Sequence, residues 1–129
     1  MSSLTRGGSG VAIAFAVSGT LHLVRPGLFT PLVPPALPRP RAWVVGSGLV
    51  ELACAAGLAR GAPWAPAAAA ATLVGVWPGN WWYAVRTQRS DAHPAHKAAA
   101  WGRLPLQLPM IVSALRAYPD AGGSVTAAG

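Results

Sequence analysis

The stretch AWVVGSGLVELACAAGLA, Ala42 to Ala59, decides how the rest of the chain is read. It carries a single charge, Glu51, at its middle. A helix needs about 20 mostly apolar residues to cross a hydrocarbon core about 30 Å thick. Backbone groups in lipid have to bond within their own segment, so a run of this length predicts a membrane-spanning helix. Three similar runs flank it: Gly7 to Val24, Trp64 to Val85 and Ala98 to Leu115. Within all four, the only charges are Glu51 and Arg103. The predicted fold class is therefore all-α, a four-transmembrane-helix bundle. Spans at 7–24, 42–59, 64–85 and 98–115 leave room only for short loops, so residues 1–129 read as one integral membrane domain. Arg6 followed by VAIAFAV, with small residues at Ser18 and Gly19, also fits a cleaved signal peptide loosely. Three spans would survive its removal.

Composition points the same way. The chain is 53% hydrophobic and 10% charged, where a soluble domain carries about a quarter charged residues. Part of that hydrophobicity is smallness, since alanine, glycine and proline dominate. A net charge of +7 would suggest nucleic acid in a soluble protein. Here the basic residues stand singly between apolar runs, without a basic stripe interleaved with aromatics, so the expected partner is the lipid bilayer and no nucleic acid. Loop charges that orient a membrane protein account for the excess. The loops after the first and third spans hold Arg25, Arg39, Arg41, Arg86, Arg89 and Lys97, six in all. Three, Arg6, Arg60 and Arg116, lie on the other side. This bias puts both termini outside the cytoplasm. Cys54 is the only cysteine, which excludes an intramolecular disulfide or a Cys-x-x-Cys pair.

The connections differ in kind. Arg25 to Arg41, RPGLFTPLVPPALPRPR, is too rich in proline for a regular helix. Its Leu28, Phe29, Leu32 and Val33 suggest a connector lying at the headgroup boundary; PPALPRP also resembles a polyproline ligand. Arg86 to Lys97, RTQRSDAHPAHK, is the one strongly polar loop. The tail from 119 to 129 reads as disordered.

Polar residues inside the spans are the functional clue. Glu51 lies roughly 14 Å in from Ala42 at about 1.5 Å per residue. His22, Asn80 and Arg103 fall in the membrane half next to the basic loops, and Gln107 reaches about the depth of Glu51. A carboxylate at the bilayer centre costs at least about 2.5–3.5 kcal/mol, so it should face the bundle and hold a partner. Arg103 is the only basic residue within a span and is the expected partner, if the second and fourth helices are neighbours. Ser47, one turn before Glu51, and Gln107 can add hydrogen bonds. The candidate site is thus an intramembrane polar core of His22, Ser47, Glu51, Asn80, Arg103 and Gln107. It reads either as a polar site or proton relay, or as a structural pin that fixes helix register.

Other features point to structure. His22 shares a face with Ser18 and Gly19, small residues that let a neighbouring helix approach. WPGN, Trp77 to Asn80, breaks the backbone ladder beside an amide. Trp81, Trp82 and Tyr83 read as an interfacial aromatic belt. Cys54 reads as a small packed residue. His93, His96 and Asp91 have metal-ligand types without a fourth ligand, so no metal site is expected. Nucleophile elbows, phosphate loops and paired catalytic carboxylates are absent from the sequence, so no catalytic residue is assigned.

The ordered motifs resemble the DoxX-like family of small four-helix membrane proteins. They are Gly19-x-x-His22, a loop with Pro26, Phe29, Val33-Pro34 and Leu37-Pro38, then Ser47-Gly48-x-x-Glu51, Pro78-x-Asn80 and Arg103-Leu104-Pro105-Leu106-Gln107. The resemblance covers roughly residues 15 to 115. It implies a four-helix membrane protein whose histidine, glutamate, asparagine and arginine–glutamine motif share a polar core. Some relatives are associated with membrane redox systems, including thiosulfate:quinone oxidation. The chain departs from the pattern at Gly79, in its alanine-rich third span and in lacking a cysteine pair. The expected function is an accessory subunit of a quinone-linked membrane redox system, not an enzyme on its own. The alternative is a small transporter or proton-conducting protein. Quinone is the cofactor and a membrane or peripheral redox protein the partner to be looked for, with a homo-oligomer also open. The expected location is multi-pass in a bacterial cell membrane.

The charge count predicts that the loop around Ser90 is cytoplasmic. A cysteine placed at Ser90 in a Cys54→Ala background should resist an impermeant maleimide applied to intact cells. Ready labelling from outside would reverse the topology.

Overall fold

The computed structural model describes residues 4–119, and these form four α-helices joined by short connections, with no strand among them. Helix α1 runs Arg6–Val24, α2 Pro40–Ala59, α3 Ala65–Gln88 and α4 Pro94–Leu115. The all-α class follows, and each helix covers one of the predicted apolar runs. By length and composition α1 and α2 qualify to cross a membrane, with mean hydropathy 1.4 and 1.6 over their most apolar windows. Helices α3 and α4 are longer, at 24 and 22 residues, but proline and polar residues dilute them. The tail predicted to be disordered lies, beyond Pro119, outside the described residues.

Local chemistry sets the helix ends. Thr5 Oγ1 accepts from the Gly8 amide at 2.9 Å and caps α1. Prolines stand in the first turns of α2, α3 and α4, where a missing amide leaves no bond unmade. His93 Nδ1 accepts from the Ala95 amide at 3.0 Å and caps α4. This cap and Pro94 carry α4 back into the polar loop, and α3 continues through Gln88. The loop expected from Arg86 to Lys97 therefore shrinks to residues 89–93.

Helix α1 packs along α2, and α3 along α4; lighter contacts of α2 with α3 and of α1 with α4 close the ring. Helices α2 and α4 are diagonal and do not touch. The condition on which a Glu51–Arg103 pair rested, that they be neighbours, is not met. Depth along a helix can be read from the sequence, but its position around the bundle cannot. At one end, Val11, Phe15, Cys54, Leu58, Ala69 and Leu73 pack into an apolar core. There Thr5 N–H donates to the Ala117 carbonyl at 2.9 Å. The Tyr118 hydroxyl donates to the Ala62 carbonyl at 2.7 Å, which ties the end of α4 to the α2–α3 turn.

The α1–α2 contact depends on two glycines. A Cβ on Gly48 would stand 2.6 Å from His22 Cβ and 3.0 Å from the Gly19 carbonyl. A Cβ on Gly19 would stand 2.8 Å from the Gly48 carbonyl. Small residues permit this approach and larger ones do not. Gly48→Ala should therefore lower the unfolding midpoint in detergent through overpacking of about 1–3 kcal/mol. Gly46, where an added Cβ meets nothing within 4 Å, should tolerate alanine or gain from its helix propensity, worth up to about 1 kcal/mol. Thermal scanning of both variants checks this, and equal midpoints would contradict the close crossing.

Candidate functional site

The predicted polar residues arrive as helical pairs four apart: Ser18 and His22 on α1, Ser47 and Glu51 on α2, Arg103 and Gln107 on α4. Such spacing puts each pair on one face, and Asn80 on α3 completes the set. His22, Ser47, Glu51, Asn80, Arg103 and Gln107 all line one central cavity of about 340 Å³. Phe15, Leu73, Val76, Leu106 and Met110 supply much of its apolar wall.

The proline-rich connector roofs this cavity. It folds into two 3₁₀ turns, Pro26–Leu28 and Thr30–Leu32. Phe29 stacks on the His22 ring at 3.7 Å between centroids and 17° between planes. The Leu32 carbonyl would lie 2.9 Å from a Cβ on Gly79, so the connector sits directly on α3. Alanine in place of Gly79 would not fit there without movement. Phe29 and the roof were absent from the predicted site. The available signal was an apolar cluster inside a proline-rich loop, which a membrane-surface reading explained equally well.

His22 and Glu51 form the polar end. His22 Nδ1 lies 2.6 Å from the Ser18 carbonyl. A carbonyl can only accept, so this partner assigns the ring proton to Nδ1. Glu51 Oε2 is 3.5 Å from the same nitrogen, within ion-pair range. It receives no hydrogen bond among the described residues, although Glu51 is only 6% exposed. The two facts agree: Nδ1–H points at the carbonyl, and the carboxylate is near it but off its axis. Arg103 is exposed on α4, diagonal to α2, and does not pair with Glu51. The expected Glu51–Arg103 contact is replaced by Glu51–His22.

Gln107 is also engaged elsewhere. Its Oε1 accepts from Asn80 Nδ2 at 2.7 Å, and its Nε2 donates to the Leu73 carbonyl at 3.1 Å. Leu73 lies five residues before Pro78, next to Val74, whose carbonyl is the one that Pro78 leaves without a ladder donor. The reverse contact also occurs: Trp77 Nε1 donates to the Leu104 carbonyl at 3.2 Å, five residues before Pro109. Each proline-bearing helix thus has a carbonyl held by a side chain of the other.

The remaining candidates have structural partners. Cys54 is buried in the apolar core, 3.8 Å from Thr72 Oγ1, and does not line the cavity. His93 caps α4, and His96 Nε2 meets the Tyr83 hydroxyl at 2.6 Å. Trp81 is half-exposed and packs edge-on against Trp77 and Trp101.

Double-mutant cycles on unfolding in detergent separate the two pairings. Glu51→Gln with His22→Asn should be non-additive, by about 0.5–3 kcal/mol for groups in contact. Glu51→Gln with Arg103→Met should add within about 0.5 kcal/mol. The reverse outcome would restore the Glu51–Arg103 pair.

No curated protein and no solved structure matches the sequence. A family model described as "Domain of unknown function (DUF8561)" matches residues 11–118, a range that includes all six predicted site residues and the connector above them, and the chain belongs to that family.

Proposed function

We propose that the chain is a four-span integral membrane protein whose central cavity holds the ring of a small membrane-dissolved compound, a quinol headgroup being the leading choice. Its role is that of a non-catalytic accessory subunit in a membrane redox system. The observation that carries this reading is Glu51, a buried residue of the lining of an apolar cavity, whose Oε2 receives no hydrogen bond among the described residues.

The membrane part rests on an inside-out distribution. Glu51, Asn80 and Gln107 are buried, while Ile13, Val17, Leu49, Val74, Leu108 and Val112 are exposed, so every helix turns apolar side chains outward. In water such a surface would be an aggregation liability; in lipid it is the expected one. Burial of Asn80 and Gln107 explains why α3 and α4 score less apolar than α1 and α2 without being less suited to a bilayer.

The ligand part rests on fit. A cavity of about 340 Å³ falls within the range of about 300–1,000 Å³ for small-molecule sites, which are mostly apolar with a few fixed polar groups. An unpartnered carboxylate oxygen calls for a donor, which a ring hydroxyl supplies. Phe29 and the His22 ring offer flat faces beside it. A quinol, when bound, would carry the electron chemistry; the chain's residues hold the ring and accept a hydrogen bond at Glu51. Cys54 lies outside the cavity lining, so the redox chemistry belongs to a partner. The resemblance to DoxX-like proteins supports the same assignment. Proton conduction fits less well, because Val11, Cys54, Leu58 and Ala69 pack the half of the bundle beyond the cavity with apolar side chains.

Scintillation-proximity binding of a tritiated short-chain benzoquinol to purified protein tests the reading. Wild type should bind saturably. Glu51→Gln should weaken binding about ten- to a hundredfold, the worth of one hydrogen bond to a charged group. Leu106→Trp, which fills the cavity, should abolish it. Equal binding by all three proteins would overturn the assignment.

A further inference from the structure

A second depression lies on the outer face of the bundle between α2 and α3, below Pro38 and Arg39. Trp43, Ser47, Gly75 and Val76 belong to its lining and to that of the central cavity. The two spaces therefore share a wall made of these four residues. The seam is the looser kind in this fold: α2 packs far more extensively on α1 than on α3. Small residues line it on both helices. A Cβ added at Gly46 or at Gly75 would meet nothing within 4 Å. Trp43, half-exposed, stands at the rim of both spaces.

Direction matters as much as shape. Gly46 lies about 9 Å along α2 from its start, at about 1.5 Å per residue. Gly75 lies about 20 Å from the α3 terminus on the same side, by the same rise. In the four-span reading, an opening between these depths faces hydrocarbon, not water. Val50, another groove residue, is exposed and apolar, as a lipid-facing rim requires.

The geometry points to a lateral portal: the α2–α3 seam admits a membrane-dissolved ligand to the polar cavity, and Trp43 is its gate. This inference rests on the binding reading above and adds the route and the physical class of ligand. A compound dissolved in the bilayer reaches Glu51 without crossing into water. The roof of proline-rich connector, packed on His22 and α3, is then a fixed lid and not the way in.

Association and dissociation rates of the short-chain benzoquinol, measured by stopped flow on protein in nanodiscs, test the route. Gly46 and Val50 line the groove but not the cavity, so changes there leave the polar site intact. Gly46→Phe should slow association and dissociation together by at least about tenfold, with the equilibrium constant held within about twofold, because a gate changes rates and not affinity. Val50→Trp, a substitution at an exposed position that keeps the fold safe, should act in the same direction. Trp43→Ala should speed both rates. Unchanged rates in Gly46→Phe and Val50→Trp, with wild-type affinity, would overturn the portal and leave the binding site standing. Rates that respond to Phe29→Ala but not to the groove variants would move the route to the lid and overturn it too. Absence of saturable binding to wild type would remove the binding reading and the portal with it.

Discussion

His22 reaches Glu51 because Gly48 has no side chain to keep α1 away from α2. An added Cβ there would sit 2.6 Å from His22 Cβ, so the histidine lies directly across Gly48, three residues from the carboxylate. Every other feature of the site follows from that approach. With α1 held this close, the His22 ring is placed where Phe29 can stack on it, and the stacked ring anchors the connector. The connector in turn rests on α3 through Leu32 and lies over the cavity. A single close crossing thus positions a loop whose prolines limit it to short 3₁₀ turns.

The other half of the bundle is held by a different device. Helices α3 and α4 carry Pro78, Pro105 and Pro109, each of which removes a backbone donor from the ladder. The two helices are also tied to each other from side chain to backbone: Gln107 donates to the Leu73 carbonyl and Trp77 to the Leu104 carbonyl, in opposite directions. Asn80 Nδ2 in turn donates to Gln107 Oε1. The buried amide pair thus finds its hydrogen bonds within the α3–α4 pair and needs no charge there.

The sequence disclosed much of this, but not its partnerships. Apolar run length located all four helices to within a few residues, because helix length is set by simple rise per residue. The polar residues chosen for the site do share one cavity, since depth and helical face follow from spacing. Azimuth does not. Nothing in the spacing of Glu51 and Arg103 says that α2 and α4 are diagonal, so the only basic residue within a span was taken as the partner. His22, whose charge is conditional, proved to be the nearer group. The helical ends of the polar loop were hidden for another reason: the caps at His93 and Pro94 outweighed local polarity.

The two halves differ in how completely their polar groups are satisfied, and that difference bears on function. Asn80 and Gln107 bond to each other and to backbone. Glu51, in the same cavity, keeps one buried oxygen without a hydrogen bond. If register were all that this position had to secure, a neutral amide or an apolar residue would do so without the desolvation penalty of a carboxylate, and replacing buried ionic groups with apolar ones is often neutral or stabilising. Among the described residues Trp82 Nε1 is the other buried side-chain atom without a hydrogen bond, and Trp82 does not line the cavity. Glu51 does, beside the stacked rings of His22 and Phe29. Local rules of polar satisfaction tend to fail at functional sites, and of the two exceptions Glu51 is the one set in the cavity where we propose that a small molecule binds.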